Sequence, residues 1–262
     1  MPEGSVRLPF RHYRGEWTES EKEVVEEGVI TLYVNGAEWA ALMATPLEQD
    51  KLALGFLHNE GVIENLRDVR EVTVNAPGTC VDVWLDRPTD ALPPGRRILT
   101  SGCGGGLTFA DLSQALPPLP PELPLAATPQ YLARLMHDLQ PPESLHSQAG
   151  GAHTAGLADE TGLLEVCEDI GRHNAIDKVC GGCLKRGVDM RGRLLLCTGR
   201  ISSDMMRKAA RMGCPIVVSR TTPTSLAVQL AQTWNITLVG YVRGNAASVY
   251  THPGRIVSRE RA

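Results

Sequence analysis

The sequence predicts an α/β protein in two parts: a C-terminal half of alternating strands and helices, preceded by a smaller α+β N-terminal domain. Three observations carry this. From about residue 150, apolar runs at Leu163 to Val166, Leu194 to Cys197, Ile216 to Ser219 and Ile236 to Tyr241 alternate with helical stretches beginning near Asn174, Ser203 and Pro223. Short connections between such elements argue for a sheet, at least partly parallel, covered by helices on both faces. Nearer the N-terminus, Asn35 and Gly36 separate two apolar runs, the signature of a tight hairpin. Between these regions the proline-dense stretch Pro117 to Pro124 reads as a semi-rigid connector. It sets the expected boundary between domains 1–125 and 126–262.

In chain order, roughly the first twenty residues are polar and predict a loose arm. Val29 to Val34 and Ala37 to Met43 are the hairpin strands, since Asn-Gly suits a type I′ turn. A helix is expected next, with Thr45 as N-cap, Pro46 at its first position, Glu48 completing a capping box and Gly61 ending it. Val72 to Val74 and Val81 to Leu85 predict two further strands joined through Ala76 to Gly78. Thr128 and Pro129 open another helix whose Leu132, Leu135, Met136 and Leu139 share one stripe.

Composition narrows the function. Across 262 residues, 26 Lys and Arg against 30 Asp and Glu give a formal charge of -4, which argues against a dedicated nucleic-acid binder. No apolar run approaches the length of a membrane span, and Met1 to Trp17 lacks the apolar core of a secretory signal. Seven cysteines, an odd number, read as reduced thiols in a cytoplasm rather than a disulfide scaffold. Cys167, Cys197 and Cys214 sit in or beside apolar strands and read as core. Cys180 and Cys183 form a C-x-x-C pair inside an expected helix, with no second pair or histidine at ligand spacing. Cys103, set among Gly102, Gly104, Gly105 and Gly106, is poorly placed for packing and well placed for exposed thiol chemistry.

In open α/β sheets, ligands sit beyond the carboxyl ends of the strands, where helix N-termini point. Each strand-to-helix turn of the second half carries polar and basic residues there. Arg172, His173 and Asn174 form the first, Arg200 and Ser202 the second, and Arg220, Thr224 and Ser225 the third. The last strand ends in Tyr241, Val242, Arg243, Gly244, Asn245 and Ala246. One Arg per turn, beside helix N-termini, predicts a rim for an anion with several phosphate or carboxylate oxygens. His153, in a glycine-flanked polar context, is either an acid–base group or a structural hydrogen-bonder.

These segments together resemble the FdhD family, sulfur carriers required by formate dehydrogenases. Thr45 and Pro46 with Leu54 to Leu57 and Glu60 to Gly61 are similar to the family's N-terminal segment, and Ser101 to Gly104 to its cysteine loop. Gly150 to His153, Glu168 to Lys178, Gly199 to Ser202, Pro223 to Ala227 and Arg243 to Gly244 follow in the family's order. The resemblance implies a sulfurtransferase that takes sulfane sulfur from a cysteine desulfurase as a persulfide on Cys103. It implies delivery to a molybdenum or tungsten bis(molybdopterin guanine dinucleotide), bound through Tyr241 to Ala246, for formate dehydrogenase. It further implies a three-layer, cytidine-deaminase-like C-terminal domain with a mixed sheet, and a homodimer.

Two departures bear on this. Many relatives carry a second loop cysteine where this chain has Gly106, so a single-thiol relay is expected. The deaminase zinc signature, H-x-E followed by P-C-x-x-C, is absent, so no catalytic zinc is expected. A non-catalytic cofactor-binding chaperone and a deaminase-type zinc hydrolase are the competing readings.

Overall fold

The computed structural model describes residues 3–88, 99–100, 116–121, 126–244 and 246–257. The larger, C-terminal domain is built on a six-stranded mixed sheet. Its strands are β8 (His153–Ala158), β9 (Leu163–Asp169), β10 (Leu194–Cys197), β11 (Ile216–Ser219), β12 (Thr237–Arg243) and β13 (Ala246–Val249), in the order β13-β12-β11-β10-β8-β9. The strands β10, β11 and β12 run parallel, while β8 and β13 run against their neighbours.

Alternation along the strands divides the core in two. Leu195, Cys197, Val217 and Leu238 face a cluster with α4 (Arg172–Arg186), α5 (Ser203–Met212) and α6 (Ser225–Thr233). Leu194, Leu196, Ile216, Val218 and Val239 face Leu132, Leu135, Met136 and Leu139, the stripe carried by α2 (Pro129–Asp138) and its C-cap. With both faces covered, the central strands are continuously apolar, which is why they were legible. The short α3 (Leu145–Ala149) precedes β8.

The smaller, β-rich N-terminal domain has a five-stranded sheet ordered β5-β6-β3-β4-β7, from β3 (Gly28–Val34), β4 (Ala37–Ala44), β5 (Val69–Val74), β6 (Cys80–Leu85) and β7 (Leu99–Thr100). The Asn35-Gly36 turn is present, both residues at positive φ (50° and 76°) as a type I′ turn demands. The sheet packs on α1 (Gln49–Asn59), whose other face crosses α4. At that crossing a Cβ on Gly55 would lie 1.7 Å from the carbonyl oxygen of Asp177, and one on Gly181 only 1.9 Å from that of Lys51. Only glycine lets the two backbones approach so closely. The expected boundary after residue 125 abuts residues 122–125, which lie outside the described residues.

Two expectations are corrected. The loose arm is an antiparallel ribbon of β1 (Ser5–Tyr13) and β2 (Trp17–Val25). Cross-strand pairs hold it: Val6 opposite Val24, Arg7 bonded to Glu23 at 2.9 Å, and Tyr13 against Trp17 with ring centroids 5.2 Å apart. Nor does Thr45 cap α1, which begins at Gln49 behind Glu48 in the left-handed conformation with no side-chain cap. The Thr45 hydroxyl instead accepts the N–H of Ile170 from the other domain. A long-range partner displaced the local one.

Candidate functional site

Because β8 is antiparallel to both β9 and β10, the carboxyl ends of β9, β10, β11 and β12 all lie along one edge of the sheet. Backbone hydrogen bonds stitch the turns there into a continuous rim. Thr198 N–H donates to Thr154, Arg220 N–H to Cys197, Ile201 N–H to Thr222, and Tyr241 N–H to Thr221. The rim is thus a consequence of topology: parallel strands with short connections leave every helix N-terminus on the same side.

At its centre, Gly199 lies against two side chains: a Cβ there would be 2.9 Å from the Arg172 stem and 3.3 Å from His153 Nδ1. Arg172 is buried, whereas Arg200, Arg220 and Arg243 are exposed. His173 Nε2 and Ser202 Oγ are 3.0 Å apart, with Asp204 3.9 Å from the same nitrogen. Burial holds the His173 imidazole down at about 4 despite Asp204, so it is neutral at pH 7. Burial, then the neighbouring Arg172 charge, also lowers His153, which opens strand β8 rather than a loop.

Arg243 reaches back to the Arg220 carbonyl (3.2 Å), and Arg220 donates to Gln140 on the far side (2.8 Å). Together with Met136, His137, Val242 and Gly244 they line a cavity of about 300 Å³. A larger cavity, about 520 Å³, opens at the opposite ends of α4 and α5 and contains none of the predicted rim residues. Tyr241 is exposed and sits at φ 54°, a conformation disfavoured for a bulky side chain, where β12 bulges against β13. Gly244 follows at φ 53°, and Ala246 opens β13 opposite Arg243.

Other predicted residues have partners within the protein. Ser202 and Thr224 cap α5 and α6, accepting from Met205 and Ala227 N–H at 3.4 and 3.2 Å. Ser225 is the exposed first residue of α6. Asn174 donates to the Met43 carbonyl (2.8 Å) and to Asp169 (3.0 Å), joining the rim to the N-terminal domain. Asn245 and Cys103 lie outside the described residues.

The described chain ahead of Cys103 ends with β7, where Thr100 pairs with Leu42, the neighbour of Met43.

Five of the other thiols are poor nucleophiles. Burial pushes Cys183 and Cys197 up to about 12, and raises Cys167, Cys180 and Cys214 as well. Cys180 lies 3.3 Å from His58 Nδ1 in the packed seam between domains, so the C-x-x-C pair is core. Among the described residues, no cluster of three or more His, Cys, Asp or Glu is arranged to hold a metal.

The residues missed from sequence lie beneath the rim. Asp169 and Lys178 form an ion pair at 2.7 Å, both fully buried, and Lys208 pairs with Asp177 at 2.6 Å. Lys178 and Asp177 were visible only as part of a polar motif; nothing local marked them as interior.

Comparison with known proteins agrees with this architecture. Residues 25–257 match the FdhD/NarQ family. The sulfur carrier protein FdhD of Bacillus subtilis is 37% identical over 254 residues, covering 96% of this chain and 97% of that protein. The sulfur carrier protein FdhD of Staphylococcus aureus (strain MRSA252) is 33% identical over 260 residues, covering 98% of each. The crystal structure of a candidate formate dehydrogenase accessory protein from Desulfotalea psychrophila superposes with a TM-score of 0.79 at 28% identity, over 97% of this chain and 99% of that one. Matched along nearly its whole length in both sequence and fold, the chain belongs to the FdhD/NarQ family.

Proposed function

We propose that the protein is a sulfur carrier for formate dehydrogenase maturation. In this reading Cys103 takes sulfane sulfur from a cysteine desulfurase and delivers it to a bis(molybdopterin guanine dinucleotide) of molybdenum or tungsten, bound as substrate along the rim. The loading step balances without an added oxidant. The Cys103 thiolate attacks the terminal sulfur of the donor persulfide, a new S–S bond forms as the old one breaks, and the donor thiolate leaves.

The observation that carries the reading is the placement of β7. The strand that leads into the cysteine loop pairs with Leu42, beside the Met43 carbonyl that Asn174 of the rim holds. Thr100, the last described residue before Cys103, thus pairs with the strand whose end Asn174 binds, which supports the reading. The exposed Arg200, Arg220 and Arg243, with the N-terminal turns of α5 and α6, suit a substrate rich in phosphate oxygens. Neutral His173 and Ser202 offer hydrogen bonds without adding charge.

Incubation with a cysteine desulfurase and cysteine, followed by mass spectrometry, tests this. A one-sulfur adduct on Cys103 is expected, with loss of both adduct and formate dehydrogenase activation in Cys103→Ala. No adduct, or undiminished activation by the variant, rejects the carrier mechanism; the latter result points to a cofactor-binding chaperone.

A further inference from the structure

We infer that Asp169 and Lys178 are positioning residues, a dry joint that fixes the strand launching the Cys103 loop against the rim and so governs sulfur delivery but not sulfur loading. The inference rests on the sulfur-carrier reading above.

Asp169, Lys178 and Thr45 are fully buried. The Asp169 carboxylate accepts from Lys178 Nζ (2.7 Å), Gly171 N–H (2.8 Å), Asn174 Nδ2 (3.0 Å) and Thr45 N–H (3.2 Å). Lys178 Nζ also donates to the carbonyls of Thr45 and Glu168, both at 3.2 Å, using all three of its protons. Ile170 N–H closes the figure on the Thr45 hydroxyl at 3.2 Å. Every polar atom is matched, so the joint has one geometry. Gly171 directly precedes Arg172 at the start of α4, Asn174 belongs to the rim, and Thr45 directly follows β4, which carries β7 on its edge.

Stability alone is a poor explanation of the pair. A buried ion pair is often no more stabilising than apolar residues of the same volume, because both charges lose their water. What it supplies is fixed direction, since an apolar contact tolerates sliding and this set of bonds does not. Loading needs only an accessible Cys103 thiol. Delivery needs that thiol at bonding distance from a substrate held on the rim, where an ångström of misplacement is expensive in rate.

The test separates the two steps. Lys178→Met and, as a milder variant, Thr45→Val are compared with the parent, each corrected for folded fraction by circular dichroism. Two rates are read: persulfide formation on Cys103 with desulfurase, and activation of formate dehydrogenase. Loading is expected to stay within about twofold while activation falls about tenfold or more in Lys178→Met and by a smaller factor in Thr45→Val. Should Lys178→Met not fold, Thr45→Val decides. Loading and activation falling in step, or activation undiminished in a folded variant, overturns the inference. Failure of the parent itself to load Cys103 rejects the sulfur-carrier reading instead.

Discussion

The crossing of α1 and α4 makes a prediction whose sign is opposite to that of an ordinary helix substitution. Alanine replaces glycine in a helix interior with a gain of about 1 kcal/mol, because glycine loses more backbone freedom on folding. At Gly181 the added methyl carbon would sit 1.9 Å from the Lys51 carbonyl oxygen, with the Lys51 carbonyl carbon and Cα at 2.7 and 2.8 Å. These are backbone atoms, so no rotamer change relieves the clash and the helices must part by roughly 1 Å. A gap of that size forfeits about a quarter to a half of the dispersion energy of each contact it opens. Overpacked cores lose about 1–3 kcal/mol, and here the loss sits at the upper end because backbone must move. Net of the propensity gain, Gly181→Ala should destabilise by about 2 kcal/mol. Urea denaturation reads this as a lower midpoint at unchanged slope. A midpoint equal to or above the parent's would mean that the helices are not held by glycine contact, and would refute the close-approach argument.

Two further outcomes concern the rim. Arg243→Ala should weaken binding of guanine nucleotides measured by calorimetry, with a loss of about 1–3 kcal/mol for a charge-assisted contact; equal affinity would remove Arg243 from the binding surface. His173, held near 4 by burial, titrates near 6.5 in the unfolded chain, so between these values only the unfolded state takes up the proton. The folded protein therefore keeps this contribution above about pH 6.5 and loses it on acidification toward pH 4. His173→Gln lacks that loss, so the variant's melting temperature relative to the parent should rise as pH falls. Asp177, raised to about 6 by burial, acts in the opposite sense but is common to both proteins. A pH-independent difference in melting temperature would contradict the assignment.

What could be read in the sequence was whatever is decided locally. Asn35 and Gly36 dictate their turn through their own backbone preferences, and Thr128 with Pro129 starts α2 with the hydroxyl bonded to Tyr131 N–H at 3.1 Å. The central strands announced themselves because both faces are covered, and the rim followed from where parallel strands end. What stayed hidden depends on distant partners. Strand β8, with His153, Thr154, Ala155 and Gly156, has no alternation and only Thr154 as a β-branched side chain; it exists because β9 and β10 flank it. The ribbon of β1 and β2 was masked by its Arg and Glu residues, which pair across strands. Thr45 has the features of a helix cap, yet Asp169, Ile170 and Lys178, more than a hundred residues later, take its polar atoms. A buried lysine leaves no mark in a hydropathy pattern at all.

The same crossing of α1 and α4 has a consequence for how the chain is made. Asn59 on α1 and its buried partner Asp177 on α4 are 118 positions apart. At about 5–20 residues per second of synthesis, roughly ten seconds pass between the emergence of one and the other. Throughout that interval α1 is outside the ribosome with its glycine face uncovered, and the N-terminal sheet joins it once β5, β6 and β7 have followed. The newborn N-terminal half therefore depends on a surface that its own residues cannot cover. Protection by chaperones would be needed most in that interval, and the need would end when α4 docks.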